Sequence, residues 1–525
     1  MPRVFSNMGL PLAAVLLAAL LLAAGASAAR IVGTDAADRL LGTPRADTIL
    51  GEGGGDRLAG GAGPDFLHGG PGRDLADAGP GDDRIAVQYD GSRDDVRCGP
   101  GRDLVNADPL DRTGPDCELV GRRLARDPYG DAEAQHETHA EPDTLTVGRT
   151  TVAAYQVGRQ YAGGATNLGF SVSTDGGRTW RSGLLPGLTR ASVPPGPHER
   201  ASDPVVAYHA PSRTWLIAAL ALEGRVTRLT VSRSQDGRSW SLPLVAAEGT
   251  ASQGIAFDKE WLACDNGAAS PFRGRCYLVF TDARRGDALG VVVSGDGGVV
   301  WSEPAYVPVS GAVGAVPVPT PAGRLVIPFL WRGNRMAASV SADGGATFSP
   351  PAPIADVRAR AVRGLRFFTL PAADVGPDGR VWVAWHDCRF RPGCAANDVV
   401  VASSLDGVSW SAPAEVTGGR NAMLPALALD PTSGRLAFAY HVVRPAGGID
   451  VELLETRPGA GTRSSPRRLS AETMRPEWLP DTVSGRMLAD YIGVTYTEGR
   501  PLVVWVLASR PQDGELRQAV FATRG

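Results

Sequence analysis

The hydrophobic positions between residues 31 and 105 recur with a period of nine. In most periods an aliphatic residue stands two places after an aspartate, and the intervening positions are rich in glycine. Short apolar runs at a fixed period, separated by turns, are typical of stacked parallel strands that share a thin core. The pattern therefore predicts a short parallel β-roll, in which no single turn could bury its apolar residues alone.

From about residue 130 onward the pattern changes to longer β-rich runs separated by turn residues, such as residues 203–208 and 215–220. Runs of this kind are typical of strands, and no long run has the period of an amphipathic helix. We interpret each unit of roughly 50 to 60 residues as four antiparallel strands. The whole chain is therefore predicted to be all-β.

Aspartates mark the nine-residue period. In residues 60–65 and 69–74 the turns read Gly-Gly-x-Gly-x-Asp. Glycine adopts turn conformations with positive φ and lets backbone carbonyl groups approach one ion, while aspartate supplies the hard anionic oxygen that Ca²⁺ prefers. These turns resemble the RTX, or haemolysin-type, calcium-binding repeats.

The resemblance implies that Ca²⁺ is the cofactor and that it bridges turns between about residues 51 and 83. The implied calcium-binding residues are Asp56, Asp65, Asp74, Asp83, Gly60, Gly61, Gly63, Gly69, Gly70 and Gly72. Asp38 and Asp47 are weaker candidates because their turns have lost most glycines. Asp94 and Asp103 resume the nine-residue step after a shift of register and resemble a terminating coil. A flexible acidic linker is the alternative, but composition alone does not produce a fixed period.

The bulk composition indicates a large folded protein that is exported. The chain has 525 residues, of which 43% are hydrophobic, and its formal net charge of -3 suggests neither a nucleic-acid nor an anionic-membrane partner. Arg3 precedes an apolar stretch over residues 10–24, and residues 26–28 offer a small-residue cleavage site. We interpret residues 1–28 as a signal peptide rather than a membrane span, and we expect a secreted, extracellular protein.

Export would place the six cysteines in an oxidising compartment, where an even number favours disulfides. Six cysteines allow fifteen pairings, and sequence neighbours suggest three local bridges: Cys98–Cys117, Cys264–Cys276 and Cys388–Cys394. The first would staple the end of the roll. A zinc site is disfavoured because no Cys-x-x-Cys pair occurs.

A second repeat marks the longer C-terminal part of the chain. Residues 173–180, 294–301 and 341–348 each run from Ser through Asp-Gly-Gly to an aromatic residue, and residues 234–240 and 404–410 are one residue shorter. Asp-Gly favours a tight hairpin turn, and the Ser and Asp side chains can bond its backbone. These segments resemble the Asp boxes, or BNR repeats, of sialidase-like β-propellers, and we interpret them as structural.

The second resemblance implies that a sialidase-like β-propeller follows the parallel β-roll, and a count of inner strands favours seven blades over six. Residues 118–124 could supply the outer strand that the last blade lacks. The predicted organisation is a signal peptide (1–28), a calcium-binding roll with a disulfide-stapled end (30–117), a connector or closing strand (118–139) and the propeller (140–525).

Polar residues beside the inner strands are expected on the face opposite the Asp boxes. The candidate ligand-site residues are Arg200, Asp203, Arg284, Arg332, His386, Asp387, Arg389 and Tyr491. Arginines there could bind a carboxylate by bidentate contacts, and Asp, His or Tyr could transfer protons or attack. The alternative is structural, in which Arg389, for example, would simply pair with Asp387.

The catalytic motif of the sialidase family is not found. The Arg-Ile-Pro motif is absent from the start of the propeller region, and Tyr491 is a candidate nucleophile only by its place near the C-terminus. The sequence therefore favours a secreted calcium-binding protein whose propeller binds a glycan or other cell-surface ligand. Two alternatives stay open: an exo-sialidase or related glycoside hydrolase with an unconventional arginine set, and a structural cell-envelope protein.

Overall fold

A computed structural model describes residues 28–224, 226–250, 256–457 and 464–525. The predicted signal peptide lies outside the described residues except for Ala28. Within the described ranges the helical content is three 3₁₀ turns, at Ala283–Arg285, Pro392–Cys394 and Pro476–Trp478. No helix in those ranges has the length and apolar character needed to cross a membrane.

Two compact units divide the chain. The first contains the described residues up to Val105 together with Leu110–Glu118, and the second contains Asn106–Pro109 and Leu119–Gly525.

The first unit is a parallel β-solenoid. Its strands, in chain order, are β1 (Arg30–Val32), β2 (Arg39–Leu41), β3 (Thr48–Leu50), β4 (Arg57–Ala59), β5 (Phe66–His68), β6 (Leu75–Asp77), β7 (Arg84–Val87), β8 (Asp95–Arg97), β9 (Leu104–Ala107) and β10 (Arg112–Thr113). Each strand pairs in parallel with the strand two positions further along, so odd and even strands form separate sheets. The even-numbered sheet has five strands, which gives about five turns.

In strands β2 to β6 the core of the solenoid consists of one apolar side chain per strand, as the nine-residue pattern requires. Ile49, Leu58 and Leu67 are almost fully buried, while their neighbours on each strand are partly or fully exposed. So thin a core buries little apolar surface per turn. The turns therefore need a further source of stability.

The second unit consists of antiparallel sheets formed mostly by consecutive strands. Its strands are β11 (Leu119–Arg123), β12 (Ala134–Val147), β13 (Thr150–Gln160), β14 (Ala165–Ser173), β15 (Arg181–Leu184), β16 (Arg200–His209), β17 (Thr214–Glu223), β18 (Val226–Ser234), β19 (Leu244–Thr250), β20 (Phe257–Cys264), β21 (Cys276–Asp282), β22 (Ala288–Ser294), β23 (Ala305–Tyr306), β24 (Ala312–Val313), β25 (Val318–Pro319), β26 (Leu325–Trp331), β27 (Arg335–Ser341), β28 (Ala352–Asp356), β29 (Ala372–Val375), β30 (Val381–Asp387), β31 (Asp398–Ser404), β32 (Ala414–Glu415), β33 (Ala422–Leu429), β34 (Leu436–Val443), β35 (Ile449–Thr456), β36 (Arg467–Arg468), β37 (Asp481–Thr482), β38 (Gly485–Arg486), β39 (Gly493–Thr497), β40 (Arg500–Gln512) and β41 (Glu515–Arg524). β11 pairs antiparallel with β41.

The predicted all-β class and parallel β-roll are confirmed, but the predicted propeller, with seven blades favoured over six, is wrong. The described residues form an all-β structure with a parallel β-solenoid and almost no helix. The strand pairing does not divide the second unit into separate blades. Ala165 of β14 pairs with Ala201 of β16, and Thr138 of β12 pairs with Gln518 of β41. The Asp-box spacing could not reveal these pairings, since they depend on strands that extend beyond their own four-strand group.

Sheets of the second unit pack against neighbours on both faces. On β17, Leu216 belongs to the same core cluster as Leu278 of β21, whereas the adjacent Ile217 belongs to the core cluster that contains Leu168 of β14. Successive side chains of a strand point to opposite faces. This explains why the strands read as continuous apolar runs rather than as an alternation of apolar and polar residues.

The Asp boxes close turns. In residues 341–348, the Ser341 hydroxyl donates to Oδ1 of Asp343 over 2.8 Å, and the backbone N–H of Thr347 donates to the same oxygen over 2.9 Å. The hydroxyl and backbone N–H of Thr347 lower the pKa of Asp343 to about 2. These carboxylates are therefore engaged within their own turns.

Three disulfides pair the six cysteines, each between neighbours in the sequence: Cys98–Cys117, Cys264–Cys276 and Cys388–Cys394. The first lies in the solenoid unit and the other two lie in the second unit. Cys264 and Cys276 also pair across β20 and β21.

Candidate calcium columns and a charged cavity

The solenoid arranges the repeat aspartates in two columns. Because one turn contains two strands, the backbone N–H of Asp56 reaches Oδ1 of Asp74 over 2.8 Å, and that of Asp65 reaches Oδ1 of Asp83 over 2.7 Å. The first column contains Asp38, Asp56, Asp74 and Asp94, and the second contains Asp47, Asp65, Asp83 and Asp103.

Asp111 and Glu118 end the two columns. The backbone N–H of Asp94 donates to Oδ1 of Asp111 over 3.0 Å, and that of Asp103 donates to Oε2 of Glu118 over 2.8 Å. The step from Asp74 to Asp94 is 20 residues rather than 18, yet the hydrogen bond persists at 2.7 Å. The columns therefore continue through the shift of register.

The second carboxylate oxygen of most column aspartates is buried without a hydrogen-bond partner among the described residues. These atoms are the Oδ2 atoms of Asp56, Asp65, Asp74, Asp83, Asp94 and Asp103. An ionised carboxylate that is buried and unpartnered is costly, and such groups in proteins are normally paired or bound to a metal ion. The six atoms mark positions at which a cation would complete the structure.

Glycine keeps the space beside these oxygens open. A Cβ added to Gly60 would lie 2.5 Å from Oδ2 of Asp65 and 2.4 Å from the carbonyl oxygen of Ala78, and a Cβ on Gly69 would lie 2.4 Å from Oδ2 of Asp74. The other predicted glycines have positive φ: Gly61, Gly63, Gly70 and Gly72. Carboxylate and carbonyl oxygens around one small space are the ligands that Ca²⁺ prefers, so the residues fit a calcium ion.

The electrostatics of the columns lead to the same conclusion. Burial, reinforced by repulsion between column aspartates, outweighs the backbone hydrogen bonds and raises the pKa of Asp74 to about 6 and that of Asp83 to about 7. The same causes raise the pKa of Asp94 to about 8. A bound divalent cation would stabilise the ionised form of each group.

Asp38 and Asp47 differ because threonine replaces a glycine in their turns. Oδ2 of Asp38 accepts from the backbone N–H and the hydroxyl of Thr34 over 2.7 and 2.8 Å. Thr43 bonds both carboxylate oxygens of Asp47. Their carboxylates are satisfied within the protein, which agrees with their weaker glycine pattern.

Backbone oxygens would supply most ligands of an ion in the columns. Within the described parts of the chain, no group of three or more His, Cys, Asp or Glu side chains could hold a metal ion by itself. The sequence interpretation treated Asp94 and Asp103 as a terminating coil, whereas their Oδ2 atoms have the same environment as those of Asp74 and Asp83. The nine-residue step between Asp94 and Asp103 was the sequence signal that these two aspartates continue the columns.

A cavity of about 810 Å³ lies in the second unit. Its lining comes mainly from one strand of each antiparallel group, namely β12, β16, β20, β25, β29, β33 and β39. Lys259 is the one basic residue among its described lining residues, and the acidic ones are Asp143, Asp203, Glu260, Asp374, Asp430, Asp490 and Glu498. The lining therefore has an excess of carboxyl groups.

β-Bulges turn charged side chains toward this region. β12, β16 and β20 each contain a register shift, and Glu141, Asp203 and Lys259 at these shifts have φ of 50°, 50° and 53°. The same feature occurs in β33, where Leu424 has φ of 51°. Positive φ is uncommon for non-glycine residues, and bulges re-aim side chains next to functional sites.

Asp490 is the centre of a buried ionic network. Lys259 Nζ donates to Oδ2 of Asp490, and Arg366 Nη2 donates to the same oxygen over 2.7 Å. Lys259 also lies 3.8 Å from Oε1 of Glu141. Although burial opposes ionisation, Lys259 and Arg366 lower the pKa of Asp490 to about 2. Asp490 is thus an ionised carboxylate that two cations of the protein neutralise.

A second chain of hydrogen bonds continues from Glu141. Gln156 donates to Oε2 of Glu141 and, over 3.0 Å, to the hydroxyl of Ser202. Ser202 donates to Oδ1 of Asp203 over 3.1 Å. Residues from β12, β13 and β16 are therefore connected to Asp203, which lines the cavity.

Glu260 and Tyr491 have no such partners. Glu260 is 1% exposed, and neither carboxyl oxygen has a hydrogen-bond partner among the described residues. The Tyr491 ring is partly exposed, but its hydroxyl is buried and also unpartnered. The ring centres of Tyr491 and Trp261 lie 5.1 Å apart, edge to face. Both unpartnered groups line the cavity.

Of the predicted ligand-site residues, Asp203 and Tyr491 line the cavity. His386 is fully buried, where its Nε2 lies 2.9 Å from the Thr369 hydroxyl and its Nδ1 accepts from the backbone N–H of Leu424. Burial lowers the pKa of His386 to about 4. This histidine is engaged in holding neighbouring segments together.

The four predicted arginines lie outside the described cavity lining. Arg284 pairs with Asp282 over 2.9 Å, and Arg389 pairs with Asp387 over 2.7 Å. Arg200 donates to the carbonyl oxygen of Gly163, and the guanidinium of Arg332 lies over the ring of Trp331. No arginine clamp for a carboxylate is therefore formed in the described lining.

Sequence reasoning missed Glu260 and Arg366. Arg366 lies in the segment between β28 and β29, and no local pattern links it to Asp490. Glu141 and Asp203 each precede a proline, and this recurring acid–proline pair was a usable signal for the bulges. Glu260 follows the corresponding bulge residue in β20, where the proline is absent.

Several solved structures resemble the chain at low identity. A protein of unknown function from Dyadobacter fermentans has a TM-score of 0.43 at 18% identity, with 63% of this chain and 95% of that chain covered. The leech intramolecular trans-sialidase has a TM-score of 0.41 at 16% identity, with 59% and 67% covered. The Hadza microbial sialidase Hz136 has a TM-score of 0.43 at 17% identity, with 61% and 66% covered. At these values the likeness carries no inference about activity.

Among curated proteins, no sequence matches this chain. The repeat region does match a known family, over residues 32–67 and 50–85. These residues contain the aspartates of both columns from Asp38 to Asp83. Residues 32–85 are thus matched by the RTX calcium-binding nonapeptide repeat (4 copies).

Proposed function

We propose that the protein is a secreted calcium-binding protein whose solenoid is stabilised by Ca²⁺ and whose second unit binds a glycan or other extracellular ligand. The single observation that carries the calcium part is the set of buried, unpartnered Oδ2 atoms in the two columns. The repeats and the paired cysteines are consistent with an extracellular protein.

The ions would be held by the column aspartates from Asp56 to Asp103 together with the backbone oxygens of the glycine turns. Bound Ca²⁺ supplies the positive charge that the columns lack. The aspartates hold the turns in register through the backbone hydrogen bonds to Oδ1, and their Oδ2 atoms face the space that glycine leaves open. The proposed calcium module is residues 30–117.

Calcium titration of the full mature chain tests this proposal. The chelated protein is titrated with Ca²⁺ and followed by isothermal calorimetry and thermal denaturation, with Asp74→Asn compared with Asp77→Asn. Asp77 is exposed and lies just after Asp74 in the same turn. We expect Asp74→Asn to lose binding stoichiometry and Asp77→Asn to resemble the unchanged protein. Absence of calcium-dependent heat or stabilisation would refute the proposal.

The ligand part of the proposal concerns the proposed module of residues 140–525. Its support is the cavity, which combines unpartnered polar groups on Glu260 and Tyr491 with the aromatic rings of Trp261 and Tyr491. Polar groups converging on a cavity with aromatic walls are typical of ligand sites. Screening the calcium-loaded chain on a glycan array is the direct test, and absence of binding to every glycan would count against this part.

A further inference from the structure

The cavity lining is anionic in a way that the rest of the chain is not. The whole chain has a formal net charge of -3, whereas the described lining contains seven acidic residues and Lys259 as its one basic residue. Two of the seven are neutralised by cations of the protein: Asp490 pairs with Lys259 and Arg366, and Glu498 pairs with three arginines outside the lining. The other five acidic residues have no ion pair among the described residues and give the lining its acidic excess. A cavity lined by one sign of charge concentrates ligands of the opposite sign. The lining therefore disfavours an anionic ligand and favours a cationic one.

The ammonium group of Lys259 is already neutralised by the protein. It donates to Asp490 and lies 3.8 Å from Glu141, and Asp490 also binds Arg366. These contacts show that carboxylates of this cavity can hold an ammonium group in a buried position. Lys259 donates no hydrogen bond to Glu260 or Asp203 among the described residues.

Glu260 is the group that lacks a partner. The residue is 1% exposed, and neither of its carboxyl oxygens has a hydrogen-bond partner among the described residues. It lies in the bulge of β20 and lines the cavity. Its charged neighbours are Asp203 on β16 and Asp258 and Lys259 on its own strand. Burial, and then repulsion from Asp203, raises the pKa of Glu260 well above its usual value.

Aromatic rings lie on the same lining. Trp261 directly follows Glu260 in the sequence. The ring of Tyr491 packs edge to face against the ring of Trp261, with 5.1 Å between the ring centres. The faces of Trp and Tyr attract ammonium groups, and the unpartnered Tyr491 hydroxyl can accept a hydrogen bond from one. A metal ion is a poorer fit, because the described residues contain no group of three or more metal-ligating side chains.

We propose that the cavity binds a ligand that carries a protonated amine, such as a glycan with free amino groups, and that Glu260 is the carboxylate that recognises the amine. This inference rests on the proposed function of the cavity as a ligand site. When the ammonium group binds, the Glu260 carboxyl loses its proton to solvent and the resulting carboxylate pairs with the ligand.

The test compares two matched oligosaccharides on the calcium-loaded full chain. Isothermal calorimetry measures binding of a glucosamine tetramer and of the N-acetylglucosamine tetramer, which lacks the amine charge, at a pH where the amine is protonated. We expect the glucosamine tetramer to bind about 10- to 100-fold more tightly, as hydrogen bonds to charged groups suggest. Repetition in buffers of different ionisation enthalpy should show proton release on binding.

Two single-residue variants test whether Glu260 is responsible for the tighter binding and the proton release. Glu260→Gln keeps the size of the side chain and should reduce glucosamine-tetramer affinity by about tenfold or more and abolish the proton release. Glu303→Gln, which changes an exposed carboxyl outside the described lining, should leave both unchanged. If Glu260→Gln does not fold, the proton release of the unchanged protein and its difference between the two tetramers still decide the question.

Three results would overturn the inference. Equal binding of the two tetramers, or unchanged affinity in a folded Glu260→Gln variant, would refute amine recognition while leaving glycan binding intact. Binding of neither tetramer would also refute it, and the glycan array would then show whether the cavity binds another glycan or none.

Discussion

The two aspartate columns and the cavity both bury carboxylates, but they compensate them differently. In the columns from Asp56 to Asp103, one oxygen of each aspartate accepts from the backbone of the preceding turn, and the other has no hydrogen-bond partner among the described residues. In the cavity, Asp490 is held by Lys259 and Arg366. A repeated turn places identical charges in register, so the compensating charge must come from solution, whereas a site built from unlike segments can contain its own cations.

The largest expected effect is the response to calcium removal. Chelation should unfold the strands of residues 30–113, because the thin core cannot offset the repulsion between column aspartates, while β13, β14 and β40 stay protected. Hydrogen–deuterium exchange of the full chain with and without Ca²⁺ measures this for each region. If the solenoid were equally protected with and without Ca²⁺, the prediction that only the solenoid depends on calcium would be contradicted.

Breaking the internal ion network of the cavity should cost less but still be large. Lys259→Met leaves Asp490 with a single cation in a buried position, so we expect the free energy of unfolding to fall by about 3 kcal/mol, independently of calcium. Chemical denaturation measures it. Arg335→Met is the control, because the Arg335–Asp356 pair is 44% and 70% exposed and should change stability by less than about 1 kcal/mol.

A backbone substitution in a calcium turn should have an intermediate effect. Gly61 has φ of 100°, and a Cβ there would lie 2.4 Å from the carbonyl oxygen of Thr43. Gly61→Ala should therefore destabilise the solenoid by about 1–3 kcal/mol and weaken calcium binding. Gly53→Ala is the matched control, since its nearest contact would be 3.4 Å without positive φ. Equal calcium titrations of the two variants would contradict the assignment of the turns.

The smallest expected effect is a dependence of the solenoid on pH. The pKa of Asp83, raised to about 7, and that of Asp94, raised to about 8, mean that the calcium-free folded state binds more protons than the unfolded state. Its stability is therefore highest at acidic pH and falls as pH rises through these values. Calcium replaces the protons, so calcium affinity should change in the opposite direction and be stronger at about pH 8 than at about pH 5.5. Calcium titrations at the two pH values measure it.

Much of the solenoid could be predicted from the sequence because its geometry is local. The period fixes which aliphatic side chains are buried, and glycine at Gly60 and Gly69 is required by the close approach of Asp65 and Asp74. The sequence did not separate the aspartates into two columns, since that requires knowing that one turn contains two strands. It also underrated Asp94 and Asp103, whose surroundings match those of the glycine-rich turns.

The cavity was much less predictable. Asp203 and Tyr491 were among the predicted residues that line it, but the predicted arginines pair with their own neighbours instead, as Arg284 does with Asp282. Arg366 and Asp490 are 124 residues apart, so no spacing rule connects them. The predicted propeller was wrong for a related reason, since pairings such as Ala165 with Ala201 depend on how far each strand extends.

The sequence by itself determined the all-β character, the solenoid core and the placement of glycine and aspartate in its turns, because a short period fixes both side-chain direction and turn conformation. The tertiary structure alone decided which distant charges meet at the cavity and left Glu260 without a hydrogen-bond partner in the part of the chain that the structure describes. Bulges in β12, β16 and β20 aim those side chains. Their combined effect depends on how the sheets pack, which is a long-range property that no local pattern encodes.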